Sequence, residues 1–259
     1  MKKLLRRFLD AGPDHALAPG RERIVLDPAD YAAIYAIGDV HGCYAELLDA
    51  ECRVLRDAAG RDGRKLIVFL GDYIDRGPSS RRVVEHLMAP HSCRDFDRIT
   101  LCGNHDAAFA AFLENPSEGR RWLDFGAAAT LYSYGVDLDR TLAGGGLPHL
   151  AEQVRGAVPL AHRLWFSGLP VAVTLGQFVF VHAGLEPGTA LEKQADDDLM
   201  WIREPFLQRG PELPVTVVHG HTPTDNVTFG KNRIGIDTCA YATGRLSVLR
   251  IIDGVPSLI

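Results

Sequence analysis

Five short motifs hold the residues of this chain that are equipped for chemistry. GDVHG at 38–42 offers Asp39 and His41, GDYIDRG at 71–77 offers Asp72, Asp75 and Arg76, and GNHD at 103–106 offers Asn104 and His105. VHAGL at 181–185 and GHTP at 220–223 add His182 and His221. Imidazole, carboxylate and amide oxygen together suit manganese, iron or zinc better than calcium or a thiolate-bound ion. Two divalent ions about 3.5–4 Å apart can clamp the attacking and leaving oxygens of an in-line displacement at phosphorus. Such a pair needs a shared ligand, and the two oxygens and negative charge of Asp72 make it the natural bridge. One ion then takes Asp39 and His41, two residues apart on the same side of an extended strand end. The other takes Asn104, His182 and His221. At such a centre a metal-bound water loses a proton near neutral pH and becomes the nucleophile, so no covalent phosphoenzyme is needed.

The elements that must position these residues are legible from hydrophobic patterning. Each motif follows an apolar, strand-like run: Ile34 to Ile37, Leu66 to Leu70, Ile99 to Leu101, Phe178 to Val181 and Val215 to Val218. In open α/β sheets, chemistry collects beyond the carboxyl ends of such strands. The first three motifs recur at about the length of one βαβ unit, roughly 30 residues, which returns each ligand to the same sheet edge. Helical periodicity after GDVHG (Tyr44, Leu47, Leu48, Cys52, Val54, Leu55) and after GDYIDRG (Val83, Val84, Leu87, Met88) marks crossover helices. A mostly helical stretch at about 107–165, broken near Asn115 to Ser117 and carrying a Gly-rich loop at 144–146, interrupts the strands, either as a cap over the site or as a structural insertion. Residues 10–30, rich in Pro, Gly, Ala and charge, read as a connecting segment, so that 1–30 form an arm and 31–259 a single α/β domain. The tail, with runs at Arg233 to Asp237 and Arg245 to Ile252 around Thr243 and Gly244, reads as a terminal hairpin.

Composition narrows the partners. At 259 residues and 46% hydrophobic, the chain is long enough to bury a large core. A net charge of -5 argues against a nucleic-acid partner, because phosphate-backbone binding needs clustered Lys and Arg. No stretch approaches the roughly 18 consecutive apolar residues of a membrane span. The basic, amphipathic start, Met1 to Leu9, reads as a surface helix or arm and lacks the apolar core and cleavage site of a secretory signal. Five cysteines without a C-x-x-C pair fit reduced thiols in the cytoplasm, with Cys43 and Cys102 close enough to motif residues for oxidation there to affect activity.

The order GDVHG, GDYIDRG, GNHD resembles the metal-dependent phosphoprotein phosphatase family, whose signatures are GDxHG, GDxxDRG and GNH[DE]. The likeness extends through VHAGL and GHTP, covers about Ile34 to Ile252, and is strongest to the compact bacterial and phage-type members. It implies a calcineurin-like fold, a central β-sandwich of mixed sheets flanked by helices, and a two-metal phosphomonoesterase acting on phosphoserine and phosphothreonine, with phosphotyrosine also accessible, in protein or peptide substrates. The metal ligands carry over to Asp39, His41, Asp72, Asn104, His182 and His221, with manganese the expected ion. The acid pair carries over to His105 and Asp75: His105 would protonate the leaving alkoxide while Asp75 holds its other ring nitrogen and raises its pKa. Arg76 matches the first phosphate-binding arginine, and Arg203, in Trp201-Ile202-Arg203, more loosely matches a second that follows a Trp in the compact members. The chain departs from the eukaryotic enzymes in having GNHD where they usually have GNHE and Thr238-Cys239-Ala240-Tyr241 in place of a SAPNY-type loop.

Other readings compete at single positions and for the whole chain. His219 rivals His221 from the same strand end, but the family places its ligand in the Gly-His pair. Asp106 reads as a helix cap, Trp122, Phe125, Tyr132 and Tyr134 as the core of the helical stretch, and Asp196 to Asp198 as a turn and helix start. A symmetrical diadenosine tetraphosphate hydrolase shares GDVHG, GNHD and HAG, although such enzymes typically carry Ala where this chain has Asp75. A metal-binding scaffold without catalysis would be expected to have a broken ligand set, and here every position is filled.

Overall fold

The computed structural model describes residues 20–259. The amphipathic start at Met1 to Leu9 lies outside the described residues. In chain order the elements are β1 (Arg23–Leu26), β2 (Ala33–Ile37), α1 (Tyr44–Ala58), β3 (Lys65–Phe69), α2 (Ser80–Met88), β4 (Phe96–Thr100) and α3 (Asn104–Glu114). A 3-10 segment at Gly119–Phe125 leads to α4 (Ala127–Ser133), α5 (Leu138–Ala157) and α6 (Leu160–Gly168). Then come β5 (Ala172–Leu175), β6 (Phe178–Val181), α7 (Asp196–Trp201), α8 (Phe206–Arg209), β7 (Thr216–His219), β8 (Thr228–Gly230), β9 (Arg233–Gly235), α9 (Ala240–Thr243), β10 (Val248–Ile252) and β11 (Val255–Leu258).

Two mixed sheets form the expected sandwich, one in the order β1-β5-β6-β7-β9-β8 and the other β11-β10-β2-β3-β4. The strands β2 and β3 are buried on both faces, which explains why they read as continuous apolar runs and not as alternating ones. Ile34, Ala36, Leu66, Val68 and Leu70 pack between the sheets against Val173, Phe178, Phe180 and Val218. Their neighbours Tyr35, Ile37, Ile67 and Phe69 face the helices, where Leu47, Val54, Val83 and Val84 cover them. The period-2 alternation of strand side chains thus divides one apolar run between two cores.

The helical stretch has its own core. Phe109 and Phe112 of α3 pack on Trp122, with ring centroids 4.6 and 5.1 Å apart, and Phe166 of α6 closes on Phe109 at 5.1 Å. Trp122 and Tyr134 are buried there as anticipated, whereas Tyr132 is exposed. The break after α3 falls where Pro116 disfavours helical geometry in Asn115, and Gly146 interrupts α5 with non-helical angles.

Two sequence expectations need correction. Arg23–Leu26 pair in parallel with Ala172–Leu175, so part of the presumed connecting segment is an edge strand. The tail is not one hairpin across Thr243-Gly244. Arg233–Gly235 pair with β7 and β8 in one sheet, while Val248–Ile252 pair with β2 and with β11 in the other. The terminal hairpin is instead β10–β11, turning at Asp253 and Gly254, both with positive φ. The parallel strands β2, β3 and β4 of one sheet, and β6 and β7 of the other, all end at the motif edge.

Candidate metal centre

A cleft of about 330 Å³ opens at that edge, lined by Asp39, His41, Asp72, Arg76, Asn104, His105, Arg203 and His221 among others. The two remaining expected residues, Asp75 and His182, sit behind it with no solvent exposure. Phe125 and Trp201 form one wall, and Pro223, Asp237 and Tyr241 complete the rim. His219 lies outside the cleft, bonded through Nδ1 to the Gly220 carbonyl at 3.1 Å.

The chain reaches this geometry through backbone conformations that L-residues rarely adopt. His41, Asp72, Asp75, Arg76 and His221 have φ of 42, 53, 70, 66 and 64°. Each such residue costs on the order of 1–3 kcal/mol and persists only where its surroundings over-determine it. Here the loops after β2 and β3 are laced together: the His41 and Gly42 N–H groups donate to the Asp72 and Tyr73 carbonyls (2.7 and 2.9 Å), and Gly77 N–H to the His41 carbonyl (3.0 Å). Asp106 does more than cap α3. Its carboxylate accepts from the backbone N–H of Asp72 (2.7 Å), Tyr73 (3.0 Å) and Gly103 (2.9 Å), tying the β3 and β4 loops into one unit. Gly220 is required where it stands, since a Cβ there would lie 1.9 Å from Asp39 Oδ1.

The donor atoms converge as a cation site requires. His41 Nδ1 donates to the Ile74 carbonyl (2.7 Å) and His182 Nδ1 to the Leu70 carbonyl (2.9 Å), bonds that assign the proton to Nδ1 and leave the Nε2 lone pairs free. Those Nε2 atoms lie 3.5 and 3.4 Å from Asp72 Oδ2, and Asn104 Oδ1 lies 2.8 Å from both His182 Nε2 and His221 Nδ1. Acceptors facing acceptors in a buried pocket repel unless a positive charge lies among them. His221 Nε2 is also buried without a partner. Two close ligand groups emerge, His41 with Asp72 and His105, and Asp39 with Asp72 and His182, and they share Asp72. The residues therefore fit a pair of divalent ions, with Asp72 common to both groups, although Asp39 groups with His182 and not with the anticipated His41.

Electrostatics agree. Burial pushes His41 down to about 4 and His221 down to about 3, so both rings stay neutral and able to ligate. Burial opposes charge at His182 as well, yet the Asp72 and Asp39 carboxylates outweigh it and drive that imidazole up to about 10. A position whose field demands a proton is one where a metal ion competes for the same lone pair. Burial would raise Asp72, but the surrounding His182, His105 and His41 hold it well below the usual range, while burial and neighbouring Asp237 push Asp39 well above it.

Beside this cluster, His105 Nδ1 meets Asp75 Oδ2 at 2.7 Å, and Trp122 Nε1 donates to the same oxygen at 2.9 Å. Thr130 donates its hydroxyl to Asp75 Oδ1 at 2.6 Å and accepts the Asp75 N–H at 2.7 Å. Burial lowers the His105 pKa, but the Asp72 and Asp75 carboxylates more than reverse this and leave it above the ordinary range. Burial keeps Asp75 above the carboxylate range despite its donors. His105 Nε2 points into the cleft, 3.5 Å from Arg76 Nη2 and 3.9 Å from Asp72 Oδ2. Arg76 lies over the Tyr241 ring, Cζ to centroid 4.8 Å, and bonds the Tyr241 hydroxyl; Arg203 Nη2 reaches the His221 carbonyl at 3.5 Å.

Sequence reasoning missed the roles of Thr130, Tyr241 and Asp237, which lie outside the motifs, and read Trp122 only as core. The polar atom on Trp122 was the available signal, because a buried indole N–H needs an acceptor. Asp196 begins α7 and pairs with Arg23 at 2.6 Å, in keeping with a helix start. Burial pushes the Cys43 thiol up to about 12 and Cys102 well above its usual value, so neither is poised for oxidation.

The sequence pattern of the calcineurin-like phosphoesterases matches residues 32–251, from β2 to within β10. The chain belongs to that family. It is therefore a hydrolase, and its relatives divide by substrate. Serine/threonine-protein phosphatase 2 of Salmonella typhimurium is 29% identical over 237 residues, covering 85% of this phosphoesterase and 94% of the relative. A symmetrical bis(5'-nucleosyl)-tetraphosphatase of Methylococcus capsulatus is also 29% identical, over 190 residues that cover 73% of the phosphoesterase but 51% of the relative. In fold, the phosphoesterase superposes on the crystal structure of a candidate diadenosine tetraphosphatase with a TM-score of 0.62 at 22% identity, over 92% of its own length and 97% of the other chain. Two divalent ions are general to the family. No described helix is long and apolar enough to cross a membrane.

Proposed function

We propose that the phosphoesterase removes phosphate from phosphoserine and phosphothreonine side chains of proteins, using two manganese ions. Asp39, His41, Asp72, Asn104, His182 and His221 would hold the ions, Asp72 being common to both close ligand groups. When bound, the ions supply Lewis-acid activation of water and of the phosphoryl oxygens. Arg76 and Arg203 take the non-reacting phosphate oxygens, a guanidinium fork matching a phosphate edge. His105 delivers a proton from Nε2 to the departing serine or threonine alkoxide, and Asp75 sustains the imidazolium through Nδ1.

The observation that carries this reading is the His105–Asp75 pair, buried, 2.7 Å long and braced by Trp122 and Thr130. An alkoxide is a poor leaving group and needs such an acid, whereas a nucleoside diphosphate leaves readily without one. The cleft also adjoins a second groove of about 580 Å³ that shares Phe125 and Trp201 with it, room for polypeptide beside a phosphorylated residue. Five cysteines without a C-x-x-C pair support a location in a reducing cytoplasm. The test compares a phosphothreonine peptide, a phosphotyrosine peptide and diadenosine tetraphosphate, each with manganese and with chelator. Chelator-sensitive phosphate release, fastest from the phosphothreonine peptide, is expected. Cleavage of the dinucleotide alone would replace this reading with the symmetrical tetraphosphatase.

A further inference from the structure

Asp237 is a carboxylate in the cleft wall that the chemistry above leaves unused. It follows β9, and Ile236 N–H bonds the His219 carbonyl at 2.8 Å, so the chain leaves that sheet alongside the His221 loop. Asp39 leaves the other sheet next to it. The two chains pass closely because residue 38 is glycine: a Cβ there would lie 2.7 Å from the Ile236 carbonyl oxygen. Asp237 is 5% exposed and Asp39 2% exposed, and among the described residues neither forms an ion pair with a lysine or arginine.

One Asp237 oxygen is anchored, with Oδ1 accepting the Cys239 N–H at 2.8 Å, and the Asp237 carbonyl accepts the Thr224 N–H at 3.1 Å. Oδ2 accepts no hydrogen bond among the described residues. A buried carboxylate without a cationic partner is expensive, and a second one lining the same cleft adds to the cost. Asp237 adds to the burial that raises the Asp39 pKa, and beyond burial Asp72 raises that of Asp237. Glu51 shows the contrast, a buried carboxylate matched by His86 at 2.6 Å and Arg98 at 3.0 Å.

We infer that Asp237 is a third carboxylate of the metal centre, held so that its Oδ2 and its charge strengthen binding of the ion that takes Asp39. This rests on the two-ion reading above but not on the choice of substrate. Outer carboxylates around metal ligands change affinity by roughly 10- to 100-fold.

The test is Asp237→Asn in the full chain, an isosteric change that keeps an acceptor for the Cys239 N–H. Manganese binding to metal-free protein is followed by calorimetry and by electron paramagnetic resonance of free Mn2+, and melting is recorded with and without Mn2+. Wild type is expected to bind two ions, and the variant to bind one at wild-type affinity and the other roughly 10- to 100-fold more weakly. Without metal the variant should melt higher, by on the order of a few degrees, because the Asp39–Asp237 repulsion is gone, while the gain in Tm from Mn2+ should shrink. A purely structural Asp237 gives the opposite sign, so a lower metal-free Tm, or a variant that fails to fold, overturns the inference. Two ions bound at wild-type affinity would do the same. If wild type itself binds fewer than two ions, the two-ion reading fails as well.

Discussion

Substituting Asp75 by Asn removes one charge from a pair whose geometry can survive the change. Two donors, His105 Nδ1–H at 2.7 Å and Trp122 Nε1–H at 2.9 Å, converge on Oδ2, and only the Thr130 hydroxyl addresses Oδ1. The amide oxygen of Asn therefore settles at the Oδ2 position, and the Thr130 hydroxyl rotates to face the new NH2. His105 keeps its orientation but loses the anion opposite its imidazolium. A hydrogen bond to a charged group contributes about 1.5–3 kcal/mol against about 0.5–1.5 for a neutral one. The deficit of roughly 1–2 kcal/mol corresponds to a rate loss of about 5- to 30-fold. Complete loss of the acid in His105→Ala should cost roughly 10²- to 10⁴-fold.

The assay compares kcat for a phosphothreonine peptide with kcat for p-nitrophenyl phosphate, at matched metal content. Nitrophenolate departs without a proton, so the peptide rate should fall as calculated while the nitrophenyl rate stays near wild type. The pH profile adds a sign. In the proposed reaction His105 acts as its protonated form, held above the ordinary histidine range by Asp72 and Asp75 against burial, so activity should be lost as pH rises through that pKa. In Asp75→Asn this descending limb moves to lower pH. Equal losses on both substrates, or a limb that stays in place, would refute the acid assignment.

Asp72→Asn should reduce metal content below two ions per chain in elemental analysis and abolish turnover, and a fully loaded variant would contradict its bridging position. Gly220→Ala brings a methyl against Asp39 Oδ1, where a Cβ would lie at 1.9 Å, and should lose metal affinity together with about 1–3 kcal/mol of stability in urea melts. Normal metal binding in that variant would remove the close-approach argument. Glu51 is buried, but His86 and Arg98 more than offset that burial and hold its pKa below the ordinary value. Its contribution is therefore fully present above about pH 4.3 and lost as pH falls through the depressed value. Glu51→Gln should cost about 3 kcal/mol near neutrality and less at pH 3, and a pH-independent cost would point to packing instead.

Local signals carried much of the site. Each ligand motif directly follows an apolar run and the first three recur at βαβ length, so the parallel order β2-β3-β4 and the shared edge for Asp39, Asp72 and Asn104 follow from spacing alone. Residue type and spacing alone left His219 a rival to His221; the family resemblance favoured His221, and the structure leaves His219 outside the cleft. The left-handed angles at His41, Asp72 and His221 left no such trace, because Asp and His occupy turns of many kinds.

Contacts between distant segments had no local signature. Thr130 and Trp122 reach Asp75 across 55 and 47 residues, and Asp106 binds the Asp72 backbone across 34. The tail departs from its sequence expectation for the same reason: Arg233–Gly235 and Val248–Ile252 look like hairpin partners by proximity, yet their apolar faces complete different sheets. What the sequence by itself determined was which polar side chains gather at the cleft and the strands that deliver them, since both depend on residue type and short-range periodicity. Which carboxylates share a charge, which donors brace the acid and where the tail pairs were decided only by tertiary structure, because these depend on packing two sheets and a helical layer into one buried volume.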